Sequence, residues 1–239
     1  RLVSLENARR LVFDRAKLLD LGVEDKLLDE ATGAVLGEDI VASRSIPPFD
    51  RSTVDGYALK AEDTFGAEEN KPVRLKIAGT VPIGELPTLE VHRKEAVEIV
   101  TGAPIPKGAD AVVMIENIRK QPNHVNIIKA VHKHENIMRS GSDIEKGEVV
   151  LTRKTVLGSR EIGAVAALGI KTVRVFRAPR VAVFSSGPEL KEPGEELAPG
   201  EIYDVNMYSL GSAILESGGK PVFLGVVQDR LSDLQEALK

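Results

Sequence analysis

The chain has 239 residues, 42% of them hydrophobic, which is enough for one large domain or two to three smaller ones with a real core. A formal charge of −4 argues against the basic face that sequence-independent nucleic-acid binding needs, and the absence of cysteine excludes disulfides, cysteine-based zinc sites and thiol chemistry. No apolar stretch reaches the length of a membrane span and the polar N-terminal region lacks signal-peptide character, so no membrane association and a cytoplasmic location are expected.

Taken in order, Ser4 can cap a helix whose apolar residues Leu5, Ala8, Val12, Ala16 and Leu19 follow helical spacing, with Gly22 placed to end it. Leu11 and Leu18 widen its stripe and hint at a partner surface, self-association being the guess; an ordinary core helix is the alternative. Leu27, Leu28, Ala31 and Val35 predict a second helix from about Asp25 to Leu36. From Val73 the period changes to strand spacing, and Val73–Ile77, Glu95–Val100, Ala111–Ile115 and Val125–Ile128 read as strands. Residues 59–136 are therefore expected to form a β-barrel-like domain inserted into a discontinuous helical domain made of residues 1–58 and 137–178. Ser159 can cap a short helix closed by Gly169, and Val173 and Val175 are strand-like. From Arg180 the order is strand (Val181–Phe184), helix (from Asn206), strand (Val222–Val227) and a last helix capped by Asp229. Residues 179–239 thus look like the first part of an open parallel α/β domain. Two parallel strands make a poor sheet alone, so the chain is expected to break off within that domain.

The stretch Pro47–Leu59, PPFDRSTVDGYAL, concentrates special backbone chemistry. Its two prolines deny helix, Asp50 to Thr53 crowd polar groups into one turn, and Asp55-Gly56 is a strong turn signal. Such a loop reads as a site, or as a tight hairpin in which Asp55 bonds its own backbone. No phosphate-binding, dinucleotide or zinc-protease motif is present. His132 and His134, alternating beside Glu135, could ligate a metal or face solvent from a strand. Asp55, Asp143 and Asp204 in turn-rich loops, with Glu161 at a helix start, are hard oxygen donors suited to Mg²⁺ and a substrate phosphate. Each also has a structural reading as turn or helix-end residue. Ser185-Ser186-Gly187 ends the first parallel strand, where ligands of open α/β sheets bind, and its small residues let backbone amides approach an anion.

PPFDRSTVDGYAL resembles the signature loop of the molybdopterin molybdenumtransferase family (MoeA in bacteria and archaea, the E domain of gephyrin in animals). TGAPIPKGADAVVMIEN from Thr101, GSDIEKGEVVL from Gly141, EIGAVAALGI from Glu161 and VAVFSSGPEL followed by GEIYDVN resemble further family segments in the same order. Ser186-Gly187-Pro188-Glu189-Leu190 stands where the family usually has Thr-Gly-Asp-Glu-Leu. The resemblance implies that Asp55, Thr101, Asp143, Glu161 and Asp204 are active-site residues, with Asp204 in the metal–phosphate region and Ser185, Ser186 and Gly187 at the substrate. It implies a transferase that inserts molybdate, or tungstate in a thermophile, into adenylated molybdopterin with Mg²⁺ and releases AMP. The family's elongated homodimer and a transient contact with the molybdopterin adenylyltransferase are implied partners, and a truncated chain would be inactive alone. The other expectation is a non-catalytic dimeric scaffold or partner-binding module of gephyrin type.

Overall fold

The computed structural model describes residues 3–15, 21–82, 84–227 and 230–237. In chain order it runs from helix α1 (Leu5–Arg15) through strands β1 (Val23–Leu27), β2 (Ile40–Val41), β3 (Arg51–Ser52) and β4 (Gly56–Leu59). Then come β5 (Val73–Thr80), β6 (Glu95–Ile99), β7 (Ala111–Met114), β8 (Ile118–Lys120), β9 (His124–Ile127), β10 (Ile137–Met138) and β11 (Val149–Leu151). Helix α2 (Ser159–Ala167) leads to β12 (Thr172–Phe176), β13 (Arg180–Ser186), β14 (Leu190–Lys191) and β15 (Ile202–Tyr203). Helix α3 (Asn206–Glu216), β16 (Lys220–Val227) and α4 (Leu231–Ala237) complete the order. These elements divide into two compact units, residues 40–151 and residues 1–39 with 152–239.

The unit of residues 40–151 is built on a curled six-stranded sheet in the order β7-β4-β6-β5-β9-β8, antiparallel except for β5 beside β6. Alternation sends Tyr57, Leu59, Leu75, Ala96, Val113, Val125 and Ile127 into one core, and Ala58, Val97, Ile99 and Val112 into another with Val81 and Val91. Strand β4 is therefore covered on both faces, which explains why Gly56 to Leu59 reads as a continuous apolar run. Lys120 on the edge strand β8 reaches Glu98 on β6, at 2.8 and 2.9 Å from its two oxygens, across the curl of the sheet. Outside the sheet, β2 pairs with β11 and β3 with β10.

In the other unit, β1 pairs antiparallel with β12, and Val165, Leu168, Leu36 and Leu157 are all buried. Strands β13 and β16 are parallel neighbours joined through α3, and β14 pairs parallel with β15. Helix and strand approach closely at Gly211, where an added Cβ would lie 2.4 Å from Phe223 Cζ. Val181, Phe223, Leu224 and Val226 of this two-stranded sheet remain substantially exposed.

Several expectations hold. Ser4 Oγ accepts the Asn7 N–H at the start of α1, and Gly169, at φ +76°, follows α2. No residue of α1 is buried; Leu5 and Phe13 are 80% and 69% exposed. The expected helical positions Ala16 and Leu19 and the cap Asp229 lie outside the described residues.

Three expectations are corrected. The segment 25–36 is not a helix, so the discontinuous part of the chain is mixed α/β rather than helical. It contributes β1, a single 3₁₀ turn at Leu28–Glu30 and an irregular run in which Gly33 has φ +78°. Its backbone is drawn out by partners far along the chain: Gly33 N–H donates to Leu157 O, Leu36 N–H to Thr155 O, and β1 zips onto β12. Those non-local bonds outweigh helical spacing that was weakened by Gly33 in any case. His132 to Glu135 form a turn rather than a strand face, with His134 at φ +67° and the Glu135 carboxylate accepting the His132 N–H at 2.8 Å. Among the described residues no group of three or more His, Asp or Glu could hold a metal ion. The cap of α2 is Gly158 rather than Ser159; its N–H donates to Glu161 Oε2 at 3.0 Å, the reaching-back half of a capping box.

Candidate functional site

Two later sequence motifs, separated by tens of residues, are laced onto the segment 46–55, which opens the first. The segment is bent at residues 47–49 and again at 53–55, with only β3 (Arg51–Ser52) extended between, and its backbone groups pair on both sides. On one side Ser52 donates its N–H to Ala103 O at 3.0 Å and accepts the Gly102 N–H at 2.8 Å, while Ile105 N–H reaches Asp50 O. On the other, β10 pairs with β3, and Gly141 N–H donates to Pro47 O and Asp143 N–H to Ile46 O, both at 3.0 Å. Asp50 Oδ1 accepts the Ser140 N–H at 2.8 Å, adding a side-chain tie between the first and third motifs. Ser52, fully buried, donates its hydroxyl to Val54 O at 2.6 Å, which shapes the turn into Asp55.

Asp55 is thereby held by its backbone while its carboxylate stays exposed. Oδ1 accepts two hydrogen bonds from one residue, the Thr101 N–H at 2.6 Å and the Thr101 hydroxyl at 2.9 Å. The amide first and the hydroxyl second hold the Asp55 carboxyl below its ordinary value of 3.8. Asp55 is thus an anion throughout the neutral range and a weak base, with Oδ2 free to meet a cation, a water or a substrate donor. Gly56 follows as the first residue of β4, so the turn that aims Asp55 is anchored directly in the sheet.

Asp143 lies in the same unit, in the exposed turn 140–147, and its side chain makes no hydrogen bond with the described residues. The remaining candidates belong to the other unit. Glu161 is half-buried and engaged at the start of α2. Ser185, Ser186 and Gly187 end β13 beside Val226 and Val227 of β16; Ser186 is exposed and Ser185 half-buried. Gly187 adopts φ +149°, and a Cβ there would lie 2.8 Å from both Glu189 carboxylate oxygens, so the absence of a side chain at this turn makes room for the Glu189 carboxylate.

Asp204 is 2% exposed. Its Oδ1 accepts the Met207 N–H at 3.0 Å and so caps α3, while Oδ2 is buried with no hydrogen-bond partner among the described residues. A buried carboxylate oxygen without a donor is costly, and a bound cation is one way to satisfy it. As a single hard donor Asp204 fits Mg²⁺, which is commonly held by one or two carboxylates with waters and substrate phosphates completing its shell.

Sequence reasoning did not single out Asp50 or Ser52 as the residues that position Asp55. Their partners lie 90 residues away or in the backbone, and no local pattern signals either. The resemblance named Asp55 and Thr101 as site residues, but neither it nor the spacing paired them.

A curled antiparallel sheet within residues 40–151, carrying an anchored acidic loop, accompanied by mixed α/β structure with a parallel β13–α3–β16 unit, defines a multi-domain α/β protein. The sequence matches the MoeA N-terminal region (domain I and II) over residues 3–169. It is 32% identical over 237 residues to a molybdopterin molybdenumtransferase of Nostoc sp., covering 98% of this chain and 54% of that one. It is 39% identical over 202 residues to molybdopterin molybdenumtransferase 2 of Mycobacterium tuberculosis, covering 84% and 50%. The crystal structure of the molybdopterin biosynthesis MoeA protein of Pyrococcus horikoshii OT3 matches with a TM-score of 0.89 at 39% identity, covering 100% of this chain and 63% of that one. The chain belongs to the MoeA family. It spans about half the length of the curated relatives named here.

Proposed function

We propose that the protein to which this chain belongs is a molybdopterin molybdenumtransferase acting in molybdenum cofactor biosynthesis. It inserts molybdate, or tungstate, into adenylated molybdopterin and releases AMP. Membership of a family whose curated relatives carry that name supports the activity, and the exposed Asp55 carboxylate held by the amide and hydroxyl of Thr101 is the observation that carries it to this chain. Asp55, Thr101, Asp143, Glu161 and Asp204 form the catalytic set in this reading, with Ser185, Ser186 and Gly187 at the substrate. Thr101 fixes the orientation of Asp55, and Asp55 presents Oδ2 as a fixed negative oxygen. Asp204 would hold Mg²⁺ through its buried Oδ2, and the chemistry supplied there would be charge neutralisation at the phosphate groups. In domain terms, residues 59–136 are the inserted β domain, residues 1–58 and 137–178 the linking and dimerising domain, and residues 179–239 the start of the molybdopterin-binding domain. A cytoplasmic homodimer, with transient contact to the molybdopterin adenylyltransferase, completes the reading. Among the described residues no helix is long and apolar enough to cross a membrane.

The test is AMP release from adenylated molybdopterin on adding molybdate and Mg²⁺, with the full-length protein beside its Asp55→Asn variant. Release by the parent and a loss on the order of 100-fold in a folded variant are expected, as for removal of one preorganised charged group. No release by a folded parent, with tungstate also tried, would turn the assignment to a gephyrin-type scaffold. Residues 1–239 alone should show no turnover, and measurable turnover would refute that part of the reading.

A further inference from the structure

Arg51 is a half-buried cation without an anion. Its Nε–H and Nη2–H point at the Met138 sulfur, 3.4 and 3.2 Å away. A thioether is a weak, uncharged acceptor, so it orients the guanidinium without neutralising it. No carboxylate among the described residues pairs with Arg51. The neighbouring Asp50 is turned onto the Ser140 amide, and Asp55, four residues on, is turned onto Thr101. By contrast Lys76, Lys107 and Lys120, all with more exposed side chains, each have a carboxylate partner. Partial burial makes an unpaired charge more expensive, so Arg51, like the half-buried Lys60, sits where pairing would help.

The geometry also leaves the right edge open. With the Nε–Nη2 edge directed at sulfur, the end-on edge of Nη1 and Nη2 still offers two parallel N–H groups, the arrangement that takes two oxygens of one anion. The backbone of Arg51 is fixed by β3–β10 pairing and by a bridge to Pro104, and the next residue is bonded to Gly102 and Ala103 beside Thr101. Arg51 and the Asp55–Thr101 pair therefore belong to one rigid piece of backbone. An ionised Asp55 repels any oxyanion brought to this loop, and a cation on the same segment offsets that repulsion.

We infer that Arg51 is an oxyanion-binding residue, receiving through its end-on edge a tetrahedral oxyanion of the substrate, either a phosphoryl group or the metal oxyanion. The proposed function supplies these two candidate anions; the unpaired guanidinium stands apart from it. Titration calorimetry of the full-length protein with sodium molybdate and, separately, with AMP tests this, beside Arg51→Lys and Arg51→Met variants whose folding is checked by circular dichroism. Arg51→Met should weaken one of the two anions about 10- to 100-fold, the effect of losing a bidentate charge-assisted pair, and Arg51→Lys less. Loss confined to molybdate assigns the metal oxyanion; loss confined to AMP assigns the phosphoryl group. Unchanged affinity for both anions in a folded Arg51→Met variant, or a parent that binds neither, overturns the inference. AMP release measured alongside separates the two readings. A turning-over parent with an unaffected Arg51→Met variant removes the role of Arg51 and keeps the transferase. A parent that binds anions through Arg51 but releases no AMP does the reverse.

Discussion

Gly56, the residue directly after Asp55, should be the least replaceable position in the sheet. A Cβ built there lies 1.9 Å from Val113 O, 2.9 Å from Val113 C and 3.1 Å from Met114 Cα. All three are backbone atoms of the adjacent strand β7, so no side-chain rotation relieves the clash. To restore even a 3.0 Å contact, β4 and β7 must part by about 1 Å at this point. Strand β4 cannot swing away, because Gly56 to Leu59 are also paired with Ile99 to Ala96 of β6 on its other side. Overpacking of about 1–3 kcal/mol, together with one or two weakened ladder bonds at about 1 kcal/mol each, places Gly56→Ala at about 2–5 kcal/mol of destabilisation. Urea denaturation followed by far-ultraviolet circular dichroism should show the midpoint falling by about 1–3 M. Gly163→Ala, on an exposed face of α2 with nothing within 4 Å of the new Cβ, is the matched control. It should be neutral or stabilising by up to about 1 kcal/mol. A Gly56→Ala protein within about 1 kcal/mol of the parent would refute the reasoning, because it would mean that the β4–β7 ladder yields at little cost.

Thr64 is fully buried, its hydroxyl donating to Ala61 O at 2.8 Å and accepting the Val131 N–H at 3.1 Å. Thr64→Val keeps the shape but orphans both backbone groups, so a loss of about 2–4 kcal/mol is expected in the same denaturation assay; under about 0.5 kcal/mol would count against it. Titration supplies the other prediction. Thr101 holds Asp55, and chiefly Lys76 holds Glu95, below the ordinary carboxylate values. Their contributions are present above the unfolded-state values and are lost as pH falls through the folded ones; that of Lys120, raised chiefly by Glu98, is present below 10.5 and lost as pH rises through its folded value. Thr101→Val removes the hydroxyl donor and keeps the amide, so the Asp55 carboxyl should titrate closer to 3.8 by carbon-detected NMR, and an unmoved midpoint would show that the hydroxyl contributes nothing.

What the sequence disclosed depended on how local each cause was. Period-two alternation announced β5 and β6, the apolar run announced β7, and the order of β13, α3 and β16 followed from strand and helix spacing with Gly218 and Gly219 between. Residues 25–36 failed because Leu27, Leu28, Ala31 and Val35 satisfy a helical count, whereas the strand that extends Val23–Leu27 begins at Thr172. Of the candidate residues, Thr101 does join Asp55, and Asp143 is tied by its backbone to the same segment. Asp204 read both as a candidate metal–phosphate ligand and as a residue before a helix cap; its burial and its unpaired oxygen are visible only once the chain is folded.

The pairing of β2 with β11 brings Ile40 opposite Leu151, so the two ends of the inserted unit are pinched together. That closure has a consequence for biosynthesis. Everything the inserted unit needs lies on one continuous stretch, so it can assemble once residue 151 has cleared the ribosome. Strand β1 has no such freedom: Leu27 meets Thr172, and at ordinary rates of synthesis that partner emerges about 7–30 s later. During the interval Val23–Leu27 is an unpaired strand awaiting its complement. A substitution at Ile40 or Leu151 that delays closure past the emergence of Thr172 would lengthen that exposure without touching β1 at all.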